Sequence, residues 1–72
     1  MPHYSSTYLR KLREQKGYST RQLARLSGCS QSLIAAVEND RQLLSMRRLW
    51  ELVRVLDGDL GQALFYLCLD LG

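Results

Sequence analysis

Few side chains in this sequence have reactive chemistry to offer. The one histidine is His3, the two cysteines are Cys29 and Cys68, and only seven acids are scattered over 72 residues. There is no nucleophile with a histidine base, no paired carboxylate in a plausible pocket and no glycine-rich phosphate loop, so an enzyme is not expected. The cysteines fit no metal-ligand spacing and are too few for a disulfide scaffold. Neither a metal nor another cofactor is expected. What remains is recognition chemistry, and it gathers at Gln31–Asn39. With Leu33, Ile34 and Val37 turned inward, the outward rows are Gln31 with Ala35 and Ser32 with Ala36. A glutamine amide has the donor and acceptor geometry to meet N6 and N7 of adenine, and a serine hydroxyl can donate to or accept from several bases. Ala35 and Ala36 offer close approach or contact with a thymine methyl group.

Such a segment works only if something holds it outward. A chain of 72 residues is one domain, and at this size it buries roughly 60% of its unfolded surface. The apolar fraction of 46% and charged fraction of 24% are those of a folded protein. The only proline is Pro2, β-branched residues never run together, and leucines recur every three or four positions, which predicts an all-α chain. Punctuation places five helices. The first follows Ser5 or Ser6 and stops at Gly17. The second is capped by Ser19, with Gln22 completing a capping box. The third is capped by Ser30 and runs to about Asn39. The fourth is capped by Ser45, with Met46, Leu49, Val53 and Leu56 on its inner face. Asp57-Gly58-Asp59 forms a turn, and the last helix, about 60–71, is apolar on most sides.

Charge is unevenly spread. Residues 1–56 hold all ten Lys and Arg against four acids, a net +6, whereas residues 57–72 hold Asp57, Asp59 and Asp70 with no base, a net −3. A basic body joined to an acidic, apolar tail predicts two surfaces with different partners. No apolar run reaches membrane-spanning length, and a last helix with acids and no bases is ill suited to anionic headgroups, so no membrane partner is expected. The start of the chain lacks the basic and apolar stretches of a secretion signal, and two reduced cysteines fit the cytoplasm.

Between Thr20 and Asn39, only Gly28, Cys29 and Ser30 separate two short helices. A glycine-led connection this short sets helices at the steep angle of a helix-turn-helix. The small Ala24 suits the crossing, with Leu23, Cys29, Ile34 and Val37 buried beneath. An ordinary helical hairpin is the plainer alternative.

These strings resemble the Cro/cI-type, or lambda-repressor-like (XRE-type), helix-turn-helix domains over about residues 6–65. The resemblance rests on Leu9-Arg10-Lys11-Leu12-Arg13 with Lys16-Gly17, on Ser19-Thr20-Arg21-Gln22-Leu23-Ala24, on Gly28-Cys29-Ser30-Gln31-Ser32-Leu33-Ile34, and on Val37-Glu38-Asn39. Ser45-Met46, Leu49 and the stretch from Leu52 to Leu56 complete it. Three positions depart from the pattern: Ser27 for an apolar residue, Asp40 for a glycine and Leu44 for a proline.

The resemblance implies a five-helix lambda-repressor-like domain over residues 1–72. It implies a sequence-specific transcriptional regulator of the small bacterial or phage repressor kind, with double-stranded DNA as its partner, acting in the cytoplasm at the nucleoid. It puts Gln31 and Ser32 at base-reading positions, Thr20 and Asn39 at phosphate-contacting positions, and Arg13 against Glu38 as a structural ion pair. The third helix has no Lys or Arg, so phosphate attraction falls to Arg10, Arg21 and Arg41, with Arg47 and Arg48 as further candidates. Helix N–H groups near Thr20 also suit a phosphate oxygen.

In the last helix Leu60, Ala63, Leu64 and Leu67 can pack inward, leaving Phe65, Tyr66 and Leu69, with Trp50, as an exposed apolar patch of the kind that marks an interface. A homodimer through this helix is the expectation. The alternative is a protein-interaction module on the same fold, an antirepressor, antitoxin or polymerase-binding adaptor, with a different protein as partner.

Overall fold

A computed structural model describes residues 3–72. Five helices follow one another: α1 (Tyr4–Lys16), α2 (Thr20–Ser27), α3 (Gln31–Glu38), α4 (Met46–Val55) and α5 (Leu60–Leu71). No strand occurs among the described residues, so the all-α expectation holds. α1 packs along α5 and against α3, and α4 lies against α2 and α5. Leu49, Leu52, Val53 and Leu56 of α4 meet Leu9, Leu23, Ile34, Val37, Ala63 and Leu67 in one buried core. Leu44, at the position where the resemblance puts proline, is also buried there.

Serine and aspartate hydroxyl or carboxylate groups start four of the helices. Ser19, Ser30, Ser45 and Asp59 each accept from the N–H three residues on, which satisfies a donor that the first helical turn leaves open. Only Ser19 and Gln22 form the reciprocal box; the Gln62 amide instead donates to the Tyr66 hydroxyl at 3.0 Å. At the other ends, Gly17, Asp40 and Asp57 take the left-handed conformation, with φ of 75°, 59° and 55°. Each is followed by an N–H that reaches five residues back: Tyr18 to Arg13, Arg41 to Ala36 and Gly58 to Val53. This paired-bond ending satisfies carbonyls that would otherwise face the core edge.

The expected start of α1 at Ser5 or Ser6 is corrected. α1 begins at Tyr4, and both serines are buried inside its first turn. The caps come from distant carboxylates instead. Asp70, near the end of α5, accepts from Tyr4 N at 2.6 Å, Ser5 N at 2.9 Å and the Ser5 hydroxyl at 2.5 Å. Asp40, after α3, accepts from His3 N and the Ser6 hydroxyl, both at 2.8 Å. Negative charge at a helix N-terminus is favourable in itself, so these two aspartates bind three parts of the chain together. Met46, expected inward, is exposed: it lies in the first turn of α4, beyond the edge of the core that Leu49 reaches.

Candidate nucleic-acid interface

The crossing of α2 and α3 is set by the turn. Gly28, at φ 77°, ends α2 and donates its N–H to Ala24 O at 3.0 Å. A side chain there would pay the left-handed penalty. Ser27, at the usually apolar position, accepts the Cys29 N–H through its hydroxyl at 3.3 Å, which helps close the turn. Leu23, Cys29, Ile34 and Val37 are buried together, with Ala24 and Leu33 packed against them. This inner seam leaves Gln31 and Ser32 exposed at the start of α3, with Ala35 and Ala36 half-buried behind them. Behind Gln31 and Ser32 the outer face carries only the methyl groups of Ala35 and Ala36, and the Glu38 side chain is turned in toward Arg13, so the helix can approach a surface closely.

Polar groups stand at both ends of α3. Gln31 Nε2 donates to Thr20 Oγ1 at 3.3 Å. The N–H groups of Thr20 and Arg21 have no side-chain acceptor among the described residues, because Ser19 takes that of Gln22. Arg21 and Arg41 are exposed and pair with no carboxylate among the described residues. Asn39 is exposed, and its amide donates to Ala35 O at 2.9 Å, closing the end of α3. Arg10 is differently engaged: its Nε lies 3.3 Å from Glu38 Oε1, although just over half of the side chain stays exposed. Arg47 and Arg48 both turn to Glu51, at 3.4 and 3.2 Å.

Arg13 and Glu38 meet as a two-pronged pair, Nε to Oε2 at 2.7 Å and Nη2 to Oε1 at 2.8 Å, while Arg13 Nη1 donates to Tyr18 O at 2.8 Å. Their side chains are 14% and 6% exposed. The hydrogen bond to Glu38 raises the Arg13 pKa against the opposing effect of burial. With every nitrogen of its fork occupied, Arg13 fastens α3 to α1 and has little left for an outside phosphate.

A helix-turn-helix family model of the XRE, or lambda-repressor-like, type matches residues 9–62. The chain belongs to this family. No curated protein and no solved structure matches it. The helix-turn-helix family is one of DNA-binding regulators, generally without enzymatic activity. The match spans the α2–α3 unit and its α1 and α4 supports.

In this helix-turn-helix domain the aspartates that cap α1 escaped the sequence reading. Asp40 was visible only as an aspartate in place of glycine; short polar side chains tolerate the left-handed conformation better than others. Its carboxyl lies below the ordinary 3.8 because of the His3 N–H and the Ser6 hydroxyl. Burial pushes the Asp70 carboxyl up, but the hydrogen bonds from Ser5 and Tyr4 outweigh this and hold it low. The outward set on α5 also needs correction. Phe65 and Leu69 are 60% and 45% exposed and Trp50 is 42% exposed, yet Tyr66 is half-buried, packed on Tyr8 at 5.3 Å between ring centres. Leu71 is 70% exposed at the end of α5, but helical spacing turns it away from Phe65 and Leu69. Trp50 carries the Arg54 guanidinium over its ring at 4.8 Å. No group of three or more His, Cys, Asp or Glu that could hold a metal ion occurs among the described residues, and no helix there is long and apolar enough to cross a membrane.

Proposed function

We propose that this chain is a sequence-specific transcriptional repressor of bacterial or phage type that lays α3 in the major groove of duplex DNA. The observation that carries the reading is the exposed Gln31–Ser32 end of α3, backed only by Ala35 and Ala36, with exposed arginines in α2 (Arg21) and in the loop after α3 (Arg41). In such a unit the second helix presents its N-terminal residues to base edges. Gln31 and Ser32 read bases; Thr20, Arg21, Asn39 and Arg41 hold phosphates, with Arg10 a secondary contact because Glu38 already engages it. Phosphate contacts set register and base contacts specify the site. A reading surface of one amide, one hydroxyl and two methyl groups gives modest discrimination per protomer, so a two-fold dimer through the apolar face of α5 is part of the proposal.

Selection of binding sites from random duplex DNA tests this reading. The expected product is a two-fold symmetric site with half-sites about one helical turn apart. Failure to enrich any sequence would contradict it and favour the protein-interaction reading, for which the absence of Lys and Arg from α3 speaks.

A further inference from the structure

α1 has two working faces. Ser6, Arg10 and Arg13, spaced by four and three, look toward α3 and Asp40. Tyr4, Tyr8, Lys11 and Gln15, spaced by four, three and four, fall on the opposite face by helical periodicity. DNA reading makes no use of that second face, and it forms one wall of a groove of about 550 Å3; Gln62 and Tyr66 of α5 form the other. The volume falls within the range of small-molecule sites.

The lining has a definite chemistry. The Tyr66 ring is stacked on Tyr4, 6.3 Å between centres and 15° between planes, and is tilted against Tyr8. Tyr8 Oη accepts the Asp59 N–H at 2.9 Å and Tyr66 Oη accepts from Gln62, so each phenol still has its own proton to donate. Lys11 pairs with no carboxylate among the described residues, and no Asp or Glu lines the groove. Aromatic walls, hydroxyl donors and one unneutralised ammonium together complement a flat ring bearing a negative charge. The walls are also fixed in advance: Asp70 ties α5 to the first turn of α1 through Tyr4 N and Ser5 N. A site held in its bound geometry loses less on binding.

We propose that the groove between α1 and α5 binds a small planar aromatic carboxylate, stacked on the tyrosines with its charge on Lys11. The site is separate from the DNA-reading surface, so its test needs no DNA. The full chain, labelled with 15N, is titrated with benzoate, with acetate and benzyl alcohol as probes carrying only the charge or only the ring. The expected result is saturable shifts confined to the residues that line the groove, Tyr8, Lys11 and Tyr66 foremost, with both control probes at least about fivefold weaker. Lys11→Gln, at an exposed position, is expected to weaken benzoate by a similar factor with an unchanged melting curve. No saturable shift up to about 10 mM benzoate, shifts elsewhere, equal binding of acetate, or wild-type binding by Lys11→Gln would each overturn the proposal.

Discussion

Gln31 Nε2 donates to Thr20 Oγ1 at 3.3 Å, which joins the first residue of α3 to the first residue of α2 across the open side of the turn. The base-reading candidate is thus held in place by a phosphate-holding candidate. The bond restricts the rotamers of a glutamine that would otherwise lose them on meeting DNA. Gln31→Ala is expected to cost about 1–3 kcal/mol in discrimination for one base pair, and Thr20→Val about 1 kcal/mol in affinity. The two effects are expected to be less than additive in a double-mutant cycle on duplex DNA, by roughly 0.5 kcal/mol or more. Strict additivity would show that the bond plays no part in the complex.

Glu38 anchors the far end of α3. Its carboxylate meets the buried Arg13 through two hydrogen bonds and Arg10 through one. Glu38→Ala strands a guanidinium that is mostly out of water, at an expected cost of about 3–5 kcal/mol, against a total of about 5–15 kcal/mol for a typical domain. Arg10→Ala removes only an exposed partner and is expected to cost less than about 1 kcal/mol. Urea unfolding of the two variants checks the contrast; equal midpoints would remove the pair from the account.

Most of the fold was legible because its signals are local. Ser19, Ser30, Ser45 and Asp59 cap the next turn whatever lies around them, and Gly17 and Gly28 end helices by their own backbone freedom. The leucines of α4 and α5 announce an inner face by spacing alone. The first turn of α1 was misread because Asp40 and Asp70, remote in sequence, supply the acceptors that Ser5 and Ser6 were expected to provide. Met46 was misplaced because periodicity gives the direction of a side chain, not the point where its neighbours stop. Tyr66 was misplaced because an almost wholly apolar helix leaves its second face ambiguous, and Tyr4 and Tyr8 decide it. At the candidate interface, the exposed residues of α3 followed from its inward row. That Glu38 engages Arg10, and Glu51 engages Arg47 and Arg48, depends on side-chain reach that spacing does not fix.

Asp40 and Asp70 make the junction of α1, α5 and the loop after α3 sensitive to acid. Both carboxyls are held below 3.8 in the folded chain. The stability they contribute is complete above 3.8 and is lost as pH falls through their lowered values. Urea midpoints measured at neutral pH and near pH 3 are expected to fall further for the wild type than for Asp70→Asn or Asp40→Asn. A wild-type loss no larger than that of the variants would contradict this assignment.

Phe65 and Leu69, four residues apart, leave one side of α5 apolar and exposed. Leu69→Glu is expected to convert a dimer to a monomer in light scattering at micromolar concentration, with helical content unchanged, and to weaken binding to a two-half-site DNA far more than to a single half-site. A wild-type chain that is already monomeric would remove dimerisation from the proposal.

On this proposal Gln31 and Ser32 meet base edges while exposed arginines of α2 and of the loop after α3 neutralise phosphates. Fluorescence anisotropy of the wild type and Gln31→Ala on the selected DNA and on a scrambled duplex, over a series of salt concentrations, tests it most directly. Log affinity is expected to fall linearly with log salt, by about 0.9 for each phosphate neutralised, with the same slope in both proteins. Gln31→Ala is expected to lose most of the preference for the selected DNA. Affinity independent of salt, or a variant that discriminates as well as the wild type, would contradict it.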